Sequence, residues 1–352
     1  MSGMKKQAFK DYGTPLCEMV SETPAPQGTQ VLVKVGHCGV CHSDLHLQEG
    51  FFDLGGGRKL ELAGGRELPF TLGHEIEGEI TAAGPDAKEV KIGRRVIVFP
   101  WIGCGECALC RRGDEHLCVK PQQIGIQVDG GYATHVMVPH PRYLLDFDPI
   151  PREIAGSYMC SGLTAWSAIE KLGPAALDGP VLIAGLGGVG MMGFSFLRAR
   201  SQHAPVVLDI DAKKREYALA NGAGAAFDPR EAATRKALMA ASNGGFFGAI
   251  DFVGSGETAS LAYGTLAKGG KLVVIGLIGG EMKISVPTFP LKGTSILGSY
   301  VGTLKEAQAM LALVKAGKVP SIPVSTRPLV EAQAALDDLK AGKTVGRAVL
   351  VP

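Results

Sequence analysis

The run Val181-Leu182-Ile183-Ala184-Gly185-Leu186-Gly187-Gly188-Val189-Gly190 begins with four apolar residues and passes directly into the pattern G-x-G-x-x-G, with a helical pattern behind it. A short uninterrupted apolar segment of this kind suits a strand buried on both faces. The three glycines then have separate tasks. Gly185 permits the tight turn, Gly187 lets a pyrophosphate approach the backbone, and Gly190 lets helix and strand pack closely. The helix N-terminus faces the phosphates. Asp209 stands 24 residues after Gly185, at the end of the next apolar run, Val206–Leu208. There a carboxylate can accept both ribose hydroxyls and repel a 2′-phosphate, so NAD is expected rather than NADP. A merely compact glycine-rich turn would explain the glycines but leave Asp209 a coincidence.

Outward from this stretch, the apolar runs Ala249–Val253 and Lys271–Ile275 alternate with helical patterns over Asp211–Asn221 and Ser255–Lys268, the second ending at Gly269-Gly270. That alternation predicts a parallel sheet covered by helices. The chain before Cys160 has a different texture. Short strand-like runs at Val31–Val35, Ile76–Ala82 and Arg95–Phe99, separated by Gly and Pro, predict a mostly antiparallel, barrel-like unit. After Gly298 helices are expected near Leu304–Lys315 and Leu329–Lys340, and a last strand at Arg347–Val351.

With 352 residues the chain has room for about two domains. Its 36 basic and 34 acidic residues leave a net charge of +2, which argues against a nucleic-acid partner. The stretch Gly179–Leu197 is uncharged and long enough to span a bilayer, but its six glycines favour a buried strand and helix. No export or targeting signal is read at either end, and a cytoplasmic location is expected.

Cysteine usage points to metal. Cys104, Cys107, Cys110 and Cys118 follow C-x2-C-x2-C-x7-C, too tight for a disulfide framework in a chain this large. Four thiolates around tetrahedral Zn2+ are the preferred reading, with an iron–sulfur cluster or free thiols as alternatives. Cys17 and Cys38 belong to no metal motif and read as buried thiols.

Two further segments, Gly39-Val40-Cys41-His42-Ser43-Asp44-Leu45-His46 and Gly73-His74-Glu75, complete a pattern that resembles the zinc-dependent medium-chain alcohol dehydrogenase family over nearly the whole chain. The resemblance implies a Rossmann doubly wound parallel sheet at 156–299. It also implies a mostly β, GroES-like catalytic domain at 1–155 and 300–352, with a structural zinc lobe near 100–120. By the same resemblance Cys41, His74 and Cys160 hold a catalytic zinc, Glu75 lies behind the metal and can replace water on it, and Asp44 orients His74. Ser43 and His46 form a proton relay, since a hydroxyl can pass a proton whereas only the imidazole holds one near neutral pH. His42 and Arg347 resemble pyrophosphate contacts, Lys214 an adenosine-ribose contact, and Phe99 and Trp101 the substrate lining. The implied activity is NAD-dependent interconversion of a primary or secondary alcohol with an aldehyde or ketone, by a homodimer or homotetramer carrying two zinc ions per chain. A polyol dehydrogenase of the same fold and a non-catalytic dinucleotide-binding protein are the rivals.

One departure stands out: His46 and His74 are 28 positions apart, more than the family usually has. The extra chain, Phe51–Leu68, reads as a hairpin around a Lys59–Leu62 strand, turned by Gly55-Gly56-Gly57 and Gly64-Gly65. It is expected either as a flap that brings Phe51 and Phe52 over an apolar substrate or as a surface or subunit-contact loop.

Overall fold

The computed structural model describes residues 3–62 and 65–352. Its parallel sheet has six strands in the spatial order Ala225–Phe227, Val206–Leu208, Val181–Ala184, Phe246–Asp251, Leu266–Val274, Ser295–Gly298. Strand order reverses beside Val181–Ala184, where the crossovers to its two neighbours run to opposite faces and leave a crevice at the carboxyl ends of the strands. Every residue of Val181–Ala184 is buried, which is why that segment is uniformly apolar. Gly185 then turns with φ 90°, and the helix Gly188–Arg200 begins. The uncharged stretch is thus a strand and the start of a helix, and among the described residues no helix is long and apolar enough to cross a membrane.

The second sheet has seven strands and centres on Val31–Gly39. That strand pairs antiparallel with Glu75–Ala83, His135–Val138 and the final strand Arg347–Val351. Its neighbour pair, Val324–Pro328 with Arg347–Val351, is parallel. The last strand therefore returns the chain's end to the sheet that carries Cys41 and Glu75. Met4–Phe9, Cys17–Ser21 and Phe70–Thr71 form a smaller antiparallel sheet.

Three expectations need correction. The helix after Ser255 runs only from Gly256 to Gly264, and Lys268 lies in the strand Leu266–Val274. A register break in the pairing of Phe246–Asp251 with that strand, together with φ 76° at Gly269, makes a strand of a segment whose glycines look like a helix stop. Cys17 is only half-buried and donates to the Ala8 carbonyl, because it sits on an edge strand; Cys38 is fully buried. The insertion does form a hairpin, but its strands are Phe51–Gly55 and Arg58–Glu61, one residue earlier than expected, because the turn closes between Gly55 and Arg58. Gly64 lies outside the described residues. Neither Phe51 nor Phe52 lines the cleft described below.

The glycine turn yields a direct test. A Cβ on Gly190 would lie 1.9 Å from the Gly185 carbonyl oxygen, whereas one on Gly187 meets only open space. Gly190→Ala should therefore destabilise the fold by about 1–3 kcal/mol, read as a lower denaturant midpoint. Gly187→Ala should leave the midpoint nearly unchanged and weaken dinucleotide binding, if the open space it fills is where a pyrophosphate approaches, as the glycine pattern predicts.

Candidate active site

Cys41, His74, Glu75 and Cys160 come from three separated segments, and each offers one ligand atom within 4.8 Å of the others, all four residues being buried. Cys41 follows the strand Val31–Gly39 and caps the helix His42–Glu49. The Asp44 carboxylate accepts from the Cys41 amide and so fixes the start of the helix. Glu75 opens the paired strand Glu75–Ala83, and Cys160 begins the helix Ser161–Leu172. The Cys41 and Cys160 sulfurs are 4.0 Å apart, against about 3.8 Å for two thiolates on one tetrahedral Zn2+. The hydrogen bond from Cys160 holds the Cys41 thiol well below the usual cysteine range, and the same contact pushes Cys160 up. Two sulfurs so placed keep one proton between them unless a cation offsets the second charge.

The remaining donors fit such a cation. Both ring nitrogens of His74 are buried without a hydrogen-bond partner among the described residues, as is Glu75 Oε2. The other Glu75 oxygen is taken by the buried Arg347 guanidinium. A Cβ on Gly39 would fall 2.1 Å from Glu75 Oε2, so only glycine leaves that oxygen its place. Asp44 Oδ1 lies 3.3 Å from His74 Nδ1. The Asp44 carboxylate is itself fixed by the Cys41 amide at 2.9 Å and the Tyr132 hydroxyl at 2.9 Å. Tyr132 went unread in the sequence because nothing near it marks a site.

Cys104, Cys107, Cys110 and Cys118 form the second quartet. Cys107 is 3.5 Å from Cys110 and 3.9 Å from Cys118. The backbone amides of Cys104 and Lys120 donate to the Cys118 sulfur, and that of Cys110 to Cys107. The last of these holds the Cys107 thiol down to about 6, while burial pushes Cys110 up to about 12. This set offers four thiolates where the first offers two with an imidazole and a carboxylate, and it too needs a positive centre to ionise fully.

The cleft between the two sheets has a volume of ≈ 470 Å³ and joins Cys41 and Cys160 to the glycine turn. His42, Ser43 and His46 line it from the first helix, and Asp209, Lys214 and Arg347 line it as well. Asp209 accepts from the amides of Leu186 at 2.6 Å and Asp211 at 2.9 Å, which hold its carboxylate at the strand end. Arg347 lies against Gly188 as well as Glu75, and a Cβ on Gly188 would meet the arginine at 2.6 Å. The two aromatic candidates part company. Trp101 lines the cleft, with its indole N–H on the Met159 carbonyl, whereas Phe99 stacks on Tyr143 in the core and does not reach the cleft. Sequence reasoning missed Thr164, Leu277, Ile278 and Tyr300 on the lining. Thr164 had a signal, since it lies one helical turn after Cys160 and so on the same face. Tyr300, edge-on to Trp101 and donating to Gln123 Oε1 at 3.2 Å, had none.

A buried thiol–imidazole set at the mouth of a dinucleotide crevice places the chain among the oxidoreductases that act on small molecules. The alcohol dehydrogenase GroES-like domain family matches residues 27–148, and the zinc-binding dehydrogenase family residues 188–316. The NAD-dependent alcohol dehydrogenase of Sulfurisphaera tokodaii is 36% identical, with 99% of this chain and 100% of that protein covered. The crystal structure of the alcohol dehydrogenase of Aeropyrum pernix superposes with a TM-score of 0.87 at 30% identity, covering 99% of this chain and 100% of that one. That of D-arabinose dehydrogenase from Sulfolobus solfataricus gives 0.84 at 26%, covering 99% of each. The chain belongs to the zinc-dependent medium-chain alcohol dehydrogenase family.

The two quartets should respond differently to loss of a sulfur. Cys107→Ala, in the outlying lobe, should lower thermal stability by several degrees while leaving turnover per folded molecule within about twofold. Cys160→Ala should leave the melting curve close to the parent and abolish measurable turnover.

Proposed function

We propose that the protein is an NAD-dependent zinc alcohol dehydrogenase that moves hydride between a primary or secondary alcohol and NAD+, giving aldehyde or ketone. The supporting observation is the continuity of one cleft from the Cys41–Cys160 pair to Asp209. Among the described residues Asp209 is the one carboxylate on its lining, so the substrate end carries no acid to receive several hydroxyls, and a simple alcohol is favoured over a polyol. A protein that only bound the dinucleotide would have no use for the buried quartet.

In this reading Cys41, His74 and Cys160 hold the catalytic zinc with Glu75 behind it, and Cys104, Cys107, Cys110 and Cys118 hold a structural one, giving two per chain. Zinc at the first site supplies Lewis acidity to the substrate oxygen. Asp44 orients His74. Asp209 accepts from the ribose hydroxyls, Lys214 reaches the adenosine ribose, and His42 and Arg347 hold the pyrophosphate. Trp101, Leu277, Ile278 and Tyr300 keep water from the reacting carbon, whose hydride passes to the nicotinamide. Ser43 relays the hydroxyl proton and His46 takes it. Burial lowers the proton affinity of His46, so its neutral, accepting form persists below the usual histidine range. The proposal extends to a homodimer or homotetramer in the cytoplasm and to a division into a catalytic domain, 1–155 with 300–352, and a cofactor domain, 156–299.

A panel of alcohols with NAD+ and NADP+ tests this, run beside metal analysis. Oxidation of simple alcohols with NAD+, at two zinc ions per chain, is expected. Asp209→Gly should reduce the NAD+ preference in kcat/KM by about tenfold or more, because a 2′-phosphate beside Asp209 is a like-charge pair. Equal use of both cofactors by the parent, or iron in place of zinc, would overturn the respective assignment.

The relay has its own signature. His46→Gln should slow alcohol oxidation by about 10-fold to 100-fold at and below neutral pH, and by less as hydroxide takes over the proton at higher pH. A pH–rate profile parallel to the parent's would remove His46 from the mechanism.

A further inference from the structure

The inserted hairpin has no task in the function just proposed, yet it is held at both ends. It leaves the helix His42–Glu49 through Gly50, whose φ is 85°. Its tip rests on the loop that follows the strand Leu266–Val274. A Cβ on Gly55 would fall 2.8 Å from the Gly280 carbonyl carbon, and one on Gly279 would fall 2.6 Å from the Asp53 carbonyl oxygen. The two backbones therefore touch where only glycine fits, and Arg58 Nη2 meets Glu281 Oε1 at 2.7 Å beside them. Leu277 and Ile278 of the cleft lining lie in the same loop.

Between these anchors the Phe52 ring packs on the imidazole of His46, centroids 4.9 Å apart and planes at 47°. Hydrogen bonds reach the rings of His37, His135 and His140, whereas none among the described residues reaches that of His46. A histidine that must take up a proton needs a set orientation, and a hydrogen bond to the second ring nitrogen is the usual means. Here packing is the means available. Of the hairpin's ionisable groups Arg58 is engaged on Glu281, Lys59 over the Phe51 ring at 3.7 Å and Asp53 on the Gly55 amide, while Glu61 is exposed opposite Phe51. The charged groups that face His46 are Glu49 and Cys41, with His42 on the same helix, and Glu49 is itself paired with Lys340. Phe52 thus acts by contact, and the field at the imidazole comes from the helix.

We propose that Phe52 is a positioning residue for His46: the hairpin, pinned to the nucleotide-binding half at Gly279–Glu281, holds the ring against the imidazole in the orientation that accepts the substrate's proton. The inference rests on the reading of His46 as the outer base.

The test is a double-mutant cycle on the metal-loaded enzyme with a simple alcohol and NAD+, followed across pH. Phe52→Ala should lower kcat for oxidation by about tenfold at and below neutral pH and by less at alkaline pH, with NAD+ affinity and metal content unchanged. Phe52→Leu, which keeps the apolar cover, should recover most of the rate. Added to His46→Gln, Phe52→Ala should cost nothing further, because its effect passes through the imidazole. Losses that multiply in the double variant, or a fall independent of pH, would overturn the positioning role, as would a normal Phe52→Ala profile beside an impaired His46→Gln. An unchanged His46→Gln profile would overturn the base assignment and this inference together.

Discussion

Arg347 and Glu75 form a buried ion pair that joins three parts of the molecule. Glu75 opens a strand of the antiparallel sheet and presents its second oxygen to the Cys41–Cys160 pair. Arg347 begins the last strand of the chain and lies against Gly188 at the start of the nucleotide-loop helix. Desolvating two charges costs several kcal/mol per ion, and only a close partner offsets it. Among the described residues neither makes a second salt bridge. The pair therefore links the return of the C-terminal strand, the glutamate beside the thiols, and the glycine turn at Gly188.

Charge also organises the two sulfur sets. Thiols 3.5 to 4.0 Å apart cannot all ionise by themselves, and in both quartets one sulfur is easily ionised while a neighbour resists. The lobe assembles locally, from four residues within one short loop, and backbone amides do much of the charge softening. The buried set is assembled from long-range contacts, since a strand end, a second strand and a helix start must all be in place. Its chemistry accordingly depends on the whole fold, and that of the lobe does not.

Much of this was legible beforehand, for identifiable reasons. The glycine turn was, because two of its glycines answer steric demands that no other residue meets: Gly185 has positive φ, and Gly190 has no room for a methyl group. The four-cysteine spacing was, because its ligands are close in sequence. The length of the helix after Ser255 was not, because a glycine pair can end a helix or bulge a strand, and the pairing partner Phe246 decides between them. The use of Phe51 and Phe52 was not either. Their hairpin could be foreseen from its glycines, but its direction depends on the Gly279–Glu281 loop more than 200 residues away.

By itself the sequence determined which local conformations were open and which atoms were available as ligands: a strand–turn–helix at Val181–Gly190, a thiol lobe at Cys104–Cys118, and a set of Cys, His and carboxylate side chains awaiting a common centre. These follow from backbone sterics and near-neighbour spacing, which act within a few residues. Only the tertiary structure decided that Phe99 belongs to the core and Trp101 to the cleft, that Tyr132 braces Asp44, that Glu75 is shared with Arg347, and that Phe52 lies on His46. Those contacts join residues from about 6 to 272 positions apart. Which partner each side chain meets is set by how sheets and loops are stacked, a property that no local pattern encodes.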